Sequence, residues 1–380
     1  MLLLKVRGAL LAAAALATSA CGGNGAAVTP SALGSMPQFE VPAVAFRPDD
    51  NTSVLKKLTK HAVIGSTVDP KNGDTGPRAI SVAKSDFGLK TGQLLVCNYA
   101  DASGTAGNGT TMELFDPKPN SKPVQWAQSN DFKGCVGDAM TTLGNQVYGA
   151  GQTSGELAWF DQNGNFKKSY SSPIVMPLGD ADAFFTNFYH PEFIYTSDAK
   201  TGAIVGLSTG NYGTGQLLEV AKGFEVNKGK GWSILGPSGM AYDKNVDTLY
   251  IVDGANNTVV AFNHASNLLQ KDEIIVKPGG KTFKCAHPKT TCGTLVHSGN
   301  PLNAPFAATL LPNGNLIIAN TKGGNTLIEM TPAGKVLATK VVDQSRTAGV
   351  YALLAGGTTD SNTVLFFADT NKNDLEELTQ

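Results

Sequence analysis

Residues 236–262, GPSGMAYDKNVDTLYIVDGANNTVVAF, constrain the fold more than any other stretch of the chain. Three short apolar runs, at 239–242, 248–252 and 258–262, are separated by polar turns. The first turn carries Asp243 and Asn245, the second Asp253, Asn256 and Asn257. β-Branched and aromatic side chains suit a pleated, half-buried surface, whereas Gly, Asn and Asp tolerate turn backbone angles. The pattern predicts three strands of an antiparallel meander. One such unit cannot bury its apolar face alone, so it needs copies of itself to stack against.

Five further segments repeat the order. The most regular is residues 304–342, which adds a fourth strand at 336–342. The others start near residues 77, 137, 181 and 350 and pass through LLVCNY, QVYGAG, FIYTSD and VLFFAD respectively. Two columns align the copies. The residue opening the first strand is Arg78, Asp138, Asp182, Ser238, Phe306 or Tyr351, and the residue closing the second is Asn98, Gly151, Asp198, Asp253, Asn320 or Asp369. Second-column steps of 47 to 67 residues fit propeller blades with loop insertions. The predicted fold is all-β: a six-bladed propeller of four-stranded antiparallel blades. The last copy reaches Gln380 after three strands, so residues 53–66, SVLKKLTKHAVIGS, are expected to supply its outer strand and close the ring.

The P-S-G-M-A-Y-D start at Pro237, the LYIVD-GANN-TVVAF core and the LIIAN…NTLIEMTPAG segment resemble the NHL-repeat group of six-bladed propellers. The resemblance implies the fold and little about activity, because propellers host unrelated functions.

At the N-terminus, Lys5 and Arg7 precede an apolar run, 8–17, that leads into Thr-Ser-Ala-Cys21. A basic start, a short apolar run and small residues before the cut make a secretory signal over residues 1–20. The run is shorter than the roughly 20 residues that span a bilayer. Leu16-Ala-Thr-Ser-Ala-Cys21 resembles a bacterial lipobox, which implies that Cys21 carries lipid and that the protein is an outer-membrane lipoprotein facing periplasm or surface. An ordinary cleaved signal is the alternative. Residues 21–50, rich in Gly, Ala, Ser and Pro, read as a flexible tether, and residues 51–380 as the propeller domain. The charge is −1, or −3 without Lys5 and Arg7, and no basic run is interleaved with aromatics. Nucleic-acid binding therefore has no electrostatic footprint.

Lipidation of Cys21 would leave four of the five cysteines. Cys285 and Cys292 flank a short loop in the longest insertion, expected between blades four and five, and read as a local disulfide. Cys97 and Cys135 are then the second pair, one of three connectivities open to four cysteines. A zinc site from Cys285, His287, Cys292 and His297 is the alternative, although the spacing matches no familiar zinc pattern. His61, His190 and His264 are scattered without repeat.

Propeller ligands sit at the mouth of the central channel, which the innermost strands line. The first column, Arg78, Asp138, Asp182, Ser238, Phe306 and Tyr351, is therefore the candidate site. It could orient a polar ligand by hydrogen bonds while its rings cover an apolar face. Asp138 and Asp182, helped by Asp180 or Asn187, could hold calcium through oxygen ligands. The plain alternative is a channel whose charges satisfy one another. Acidic residues of the second column, such as Asp198, Asp253 and Asp369, read as acceptors for turn backbone. Ile275 stands where a phosphate loop ending in Gly280-Lys281-Thr282 needs glycine. No nucleophile, base and orienter form a set. The expected function is an envelope-anchored binding or scaffold protein for a protein or small ligand, with the membrane reached only through lipid. The alternative is a calcium-dependent lactonase- or esterase-like hydrolase, or a lyase, acting in the channel.

Overall fold

A computed structural model describes residues 49–142, 144–184, 192–209, 215–268 and 270–380, without the side chains of 180–184. The predicted signal, Cys21, nearly all of the tether, Asn187, His190 and the side chains of Asp180 and Asp182 lie outside the described residues.

The described residues form six sheets. Blade one is β2 (Thr75–Val82), β3 (Leu94–Ala100), β4 (Thr111–Phe115) and β5 (Val124–Gln128). Blade two is β6 (Cys135–Met140), β7 (Val147–Gly151), β8 (Glu156–Phe160) and β9 (Phe166–Tyr170). Blade three begins with β10 (Pro177–Phe184), β11 (Glu192–Asp198), β12 (Ala203–Thr209) and β13 (Leu217–Lys222). Blade four is β14 (Pro237–Asp243), β15 (Thr248–Asp253), β16 (Thr258–Asn263) and β19 (Gly293–Ser298). Blade five is β20 (Pro305–Leu310), β21 (Leu316–Asn320), β22 (Asn325–Met330) and β23 (Val336–Asp343). Blade six combines β24 (Val350–Gly356), β25 (Val364–Asp369) and β26 (Asp374–Thr379) with β1 (Lys60–Ser66). The innermost strands β2, β6, β10, β14, β20 and β24 touch in that order and return to β2, which makes the propeller.

Ring closure follows the sequence expectation. β1 pairs antiparallel with β26, and Val54, Leu55 and Leu58 pack under blades five and six. Glu329 fixes the approach to that strand. Its carboxylate accepts hydrogen bonds from the backbone of Val54 (3.0 Å) and Leu55 (2.8 Å) and from the Ser53 hydroxyl (2.6 Å).

The insertion departs from expectation. It lies inside blade four, between β16 and β19, and not between blades four and five. Its strands β17 (Ile274–Val276) and β18 (Phe283–Cys285) extend blade three outward, with β17 parallel to β13. The reason is the edge of β13, whose unpaired backbone offers a template for another strand. Both cysteine pairs form: Cys97–Cys135 ties blade one to blade two, and Cys285–Cys292 closes the insertion.

One buried group in blade one makes stability depend on pH. Glu113 is fully buried, and burial, reinforced by the neighbouring Asp69 carboxyl, pushes it up to about 9. Unfolded, a glutamate titrates near about 4.3. Between those values the folded chain holds the extra proton, so this group's contribution falls as pH rises, by up to about 1.4 kcal/mol per unit. Glu113→Gln should flatten the decline between pH 5 and 9. Melting curves across that range check it; an unchanged slope would refute the assignment.

Candidate ligand site in the central channel

Every inner strand carries a register shift near its start, where one strand residue has no direct partner. Flanking pairs such as Pro77↔Asn98 and Ala79↔Cys97 place the extra residue at Arg78 in β2. The equivalent residues are Val136, Leu178, Phe306 and Tyr351, and in β14 the shift spans Ser238 and Gly239. The ring around Arg78 therefore contains Val136 and Leu178 where Asp138 and Asp182 were expected. Asp138 lies two residues further along β6, and Asp182 four residues further along β10. Hydrogen-bond register, and not side-chain polarity, defines the layer, and the extra residue sets it.

Arg78 is the unusual member of that ring. Its side chain is 1% exposed, and its guanidinium carbon stands 4.4 Å from the Tyr99 ring centre, 4.6 Å from Phe306, 4.6 Å from Tyr351 and 5.1 Å from Trp232. Among the described residues, Nε, Nη1 and Nη2 all lack a hydrogen-bond partner. Burial lowers the guanidinium pKa, with the Tyr99 and Tyr351 oxygens opposing. Arginine nevertheless keeps its charge in proteins, and its five N–H donors cannot be switched off. Aromatic faces attract a desolvated cation by about 2 kcal/mol or more. The faces themselves offer no lone pairs, and the Tyr99 and Tyr351 oxygens favour the charge from nearby without reaching hydrogen-bond geometry. The box therefore stabilises the charge and leaves the donors unspent.

The walls of the box brace one another. Tyr99 donates its hydroxyl to Gln152 Oε1 at 2.6 Å, and the Phe306 and Tyr351 rings meet edge to face at 5.0 Å. Trp232 arrives on the loop before β14 and packs edge-on against Tyr99 at 4.5 Å. Asn227 fastens that loop, accepting from Gly229 and Leu235 backbone and donating to the Ser233 carbonyl. Gly76 has φ +74°, and a Cβ there would lie 2.8 Å from the Trp232 ring, so only glycine admits the indole. Tyr99 and Trp232 are absent from the sequence-derived site. The one signal for Trp232 is a tryptophan set among Gly and Lys in a turn-like stretch.

Toward the ends of the inner strands the channel opens into a cavity of about 260 Å³ lined by Arg78, Ser81, Lys84, Asp138, Met240 and Tyr242, among others. Asp138 is 7% exposed, Ser81 donates to its Oδ2 at 2.6 Å, and Oδ1 has no partner among the described residues. Burial pushes Asp138 up to about 7, against the Ser81 hydrogen bond. At the other end, where the inner strands begin, the mouth encloses about 690 Å³. Trp232 and Tyr351 form part of its wall, with Thr75, Lys322 and Asn371 among the polar residues.

The remaining candidates divide clearly. Asp253 accepts from the Ala255 and Asn256 backbone, Asp198 from Lys200, and Asp369 from Asn371. These are the expected turn contacts. The sulfurs of Cys285 and Cys292 are joined, which removes them from any zinc set, and both ring nitrogens of His297 face backbone carbonyls. His61 contacts Glu376, and His264 lies 4.0 Å from Asp247. Among the described residues, no three His, Cys, Asp or Glu side chains are placed to hold a metal ion. Ser238 spends its hydroxyl on the Phe306 carbonyl at 2.8 Å.

No protein-family model matches the chain, and no curated protein matches it. Solved structures do. A gluconolactonase from Xanthomonas campestris aligns with TM-score 0.54 and 11% identity over 83% of this chain and 88% of that one. A nidogen/laminin complex aligns with TM-score 0.51 and 16% identity over 76% and 87%. A protein of unknown function from Bacteroides thetaiotaomicron aligns with TM-score 0.51 and 13% identity over 84% and 75%. At these identities the likeness shows the propeller fold alone.

Proposed function

We propose that the chain is an envelope-anchored binding protein whose channel takes a small ligand bearing a carboxylate, with Arg78 as its anchor. One observation carries this reading: a guanidinium buried among four rings, with all three nitrogens lacking a hydrogen-bond partner among the described residues. A carboxylate matches the planar fork of arginine in two parallel, charge-assisted hydrogen bonds. Arg78 is 1% exposed, so those bonds form in a low dielectric and gain strength. Anchoring in the envelope rests on Lys5, Arg7 and the small residues before Cys21.

Tryptophan fluorescence tests this reading, because Trp232 forms one wall of the box. Titration with propionate should change emission saturably. Trp232→Phe should remove the change, and Arg78→Met should remove the binding. A linear, unsaturable response would refute the carboxylate site.

A second reading, hydrolysis of a lactone or ester, is favoured by Asp138 alone. A carboxyl held at about 7, its Oδ1 without a partner among the described residues, has the basicity that suits a general base near neutrality. Lactone and aryl-ester turnover, assayed with and without added calcium and lost in Asp138→Asn, would support it.

A further inference from the structure

We infer that the smaller channel cavity is built for a zwitterion, a compact molecule that presents a carboxylate to Arg78 and an ammonium group to Asp138. This rests on the carboxylate reading and adds the second charge. Both residues line the same cavity, on the adjacent inner strands β2 and β6. Among the described residues neither joins an ion pair, so the two opposite charges do not neutralise each other. Each is instead left half-satisfied. Arg78 retains its donors, and Asp138 retains Oδ1 after Ser81 has engaged Oδ2.

A buried carboxylate oxygen without a donor is costly, and so is a buried donor without an acceptor. A simple carboxylate would relieve Arg78 and leave Asp138 as it is. A simple amine would do the reverse. A ligand carrying both relieves both, which makes selectivity for the zwitterion a consequence of the wall chemistry. Size narrows the class further. At about 30 Å³ per water, 260 Å³ is the space of roughly nine waters. That suits a free amino acid or a short ω-amino acid. Met240, Phe306 and Leu353 supply apolar wall for the carbon skeleton between the charges.

The test is calorimetric titration of the full chain at pH 8 with four probes: propionate, propylamine, alanine and β-alanine. At least one zwitterion should bind about tenfold or more tighter than propionate or propylamine, the gain from one added charge-assisted hydrogen bond. Asp138→Asn should erase that gain and leave propionate unchanged. Equal affinities for propionate and both zwitterions in the wild type would overturn the inference and leave the carboxylate site standing. So would a loss in Asp138→Asn that is equal for all carboxylates. No binding of any carboxylate would overturn both readings.

Discussion

Arg78→Met is expected to raise the melting temperature by about 2–8 °C while abolishing carboxylate binding. Stability and function are opposed at this residue. Withdrawing a guanidinium from water costs several kcal/mol even after the protein relaxes. In this channel no carboxylate among the described residues pairs with it, and the Tyr99 and Tyr351 oxygens offset only part of that cost. The four aromatic faces do offset part of it, about 2 kcal/mol or more for a desolvated face, but one cation cannot engage four faces at full strength. Methionine fills a similar volume, and its sulfur keeps favourable contacts with rings, about 0.3–1.5 kcal/mol each. Replacing even a buried ion pair by apolar residues of like volume is often neutral or stabilising by about 1–4 kcal/mol, and that range sets the expected shift. A structural plug held by cation–π attraction would give the opposite sign. Thermal melts of both forms without added ligand decide it, and a lower midpoint for the methionine variant would count against a ligand site.

Truncation to residue 67 should leave the chain unable to fold cooperatively. That segment contributes β1 and the run before it, and Val54, Leu55, Leu58 and Ile64 are each 0% exposed. Full burial of such side chains contributes about 1.5–3 kcal/mol apiece, so their loss removes about 6–12 kcal/mol. A whole domain is stable by only about 5–15 kcal/mol. The cut also orphans the Glu329 carboxylate, now bonded to Ser53, Val54 and Leu55, and bares the edge of β26 to other chains. Loss of a sharp thermal transition, with aggregation on concentration, is the expected result. A truncated chain that melts cooperatively within a few degrees of the full one would show that the ring needs no closure by β1.

What the sequence disclosed was local. The meander at 236–262 appears as β14, β15 and β16, because alternating apolar runs and Asn- or Asp-bearing turns act within a few residues. All six second-column residues pair opposite the start of their inner strand, from Pro77↔Asn98 to Val350↔Asp369, and the Asp198, Asp253 and Asp369 carboxylates also accept from the turn that follows. Closure by β1 was legible because the sixth copy has three strands and a vacant outer edge, which the stretch before blade one can fill. The site was legible only in part. Arg78, Ser238, Phe306 and Tyr351 fall in the bulged layer, whereas Asp138 and Asp182 do not, and the extra residue that moves them leaves no mark in a pattern of polar and apolar letters. Tyr99 and Trp232 reach the guanidinium from a second strand and an inter-blade loop. Only tertiary structure brings them there. The strands β17 and β18 joined a neighbouring blade for the same kind of reason, a parallel pairing across about fifty residues that no local rule announces.

The most direct measurement is the side-chain NMR signal of Arg78 during titration with propionate. In the ¹⁵N-labelled chain, its Nε–Hε resonance is identified by its disappearance in Arg78→Met. A saturable downfield shift of that proton, with the other arginine resonances unmoved, is the expected result, because a carboxylate would supply the acceptor the box lacks. A resonance that stays fixed up to high propionate concentration would contradict the ligand site and leave Arg78 as a buried structural cation.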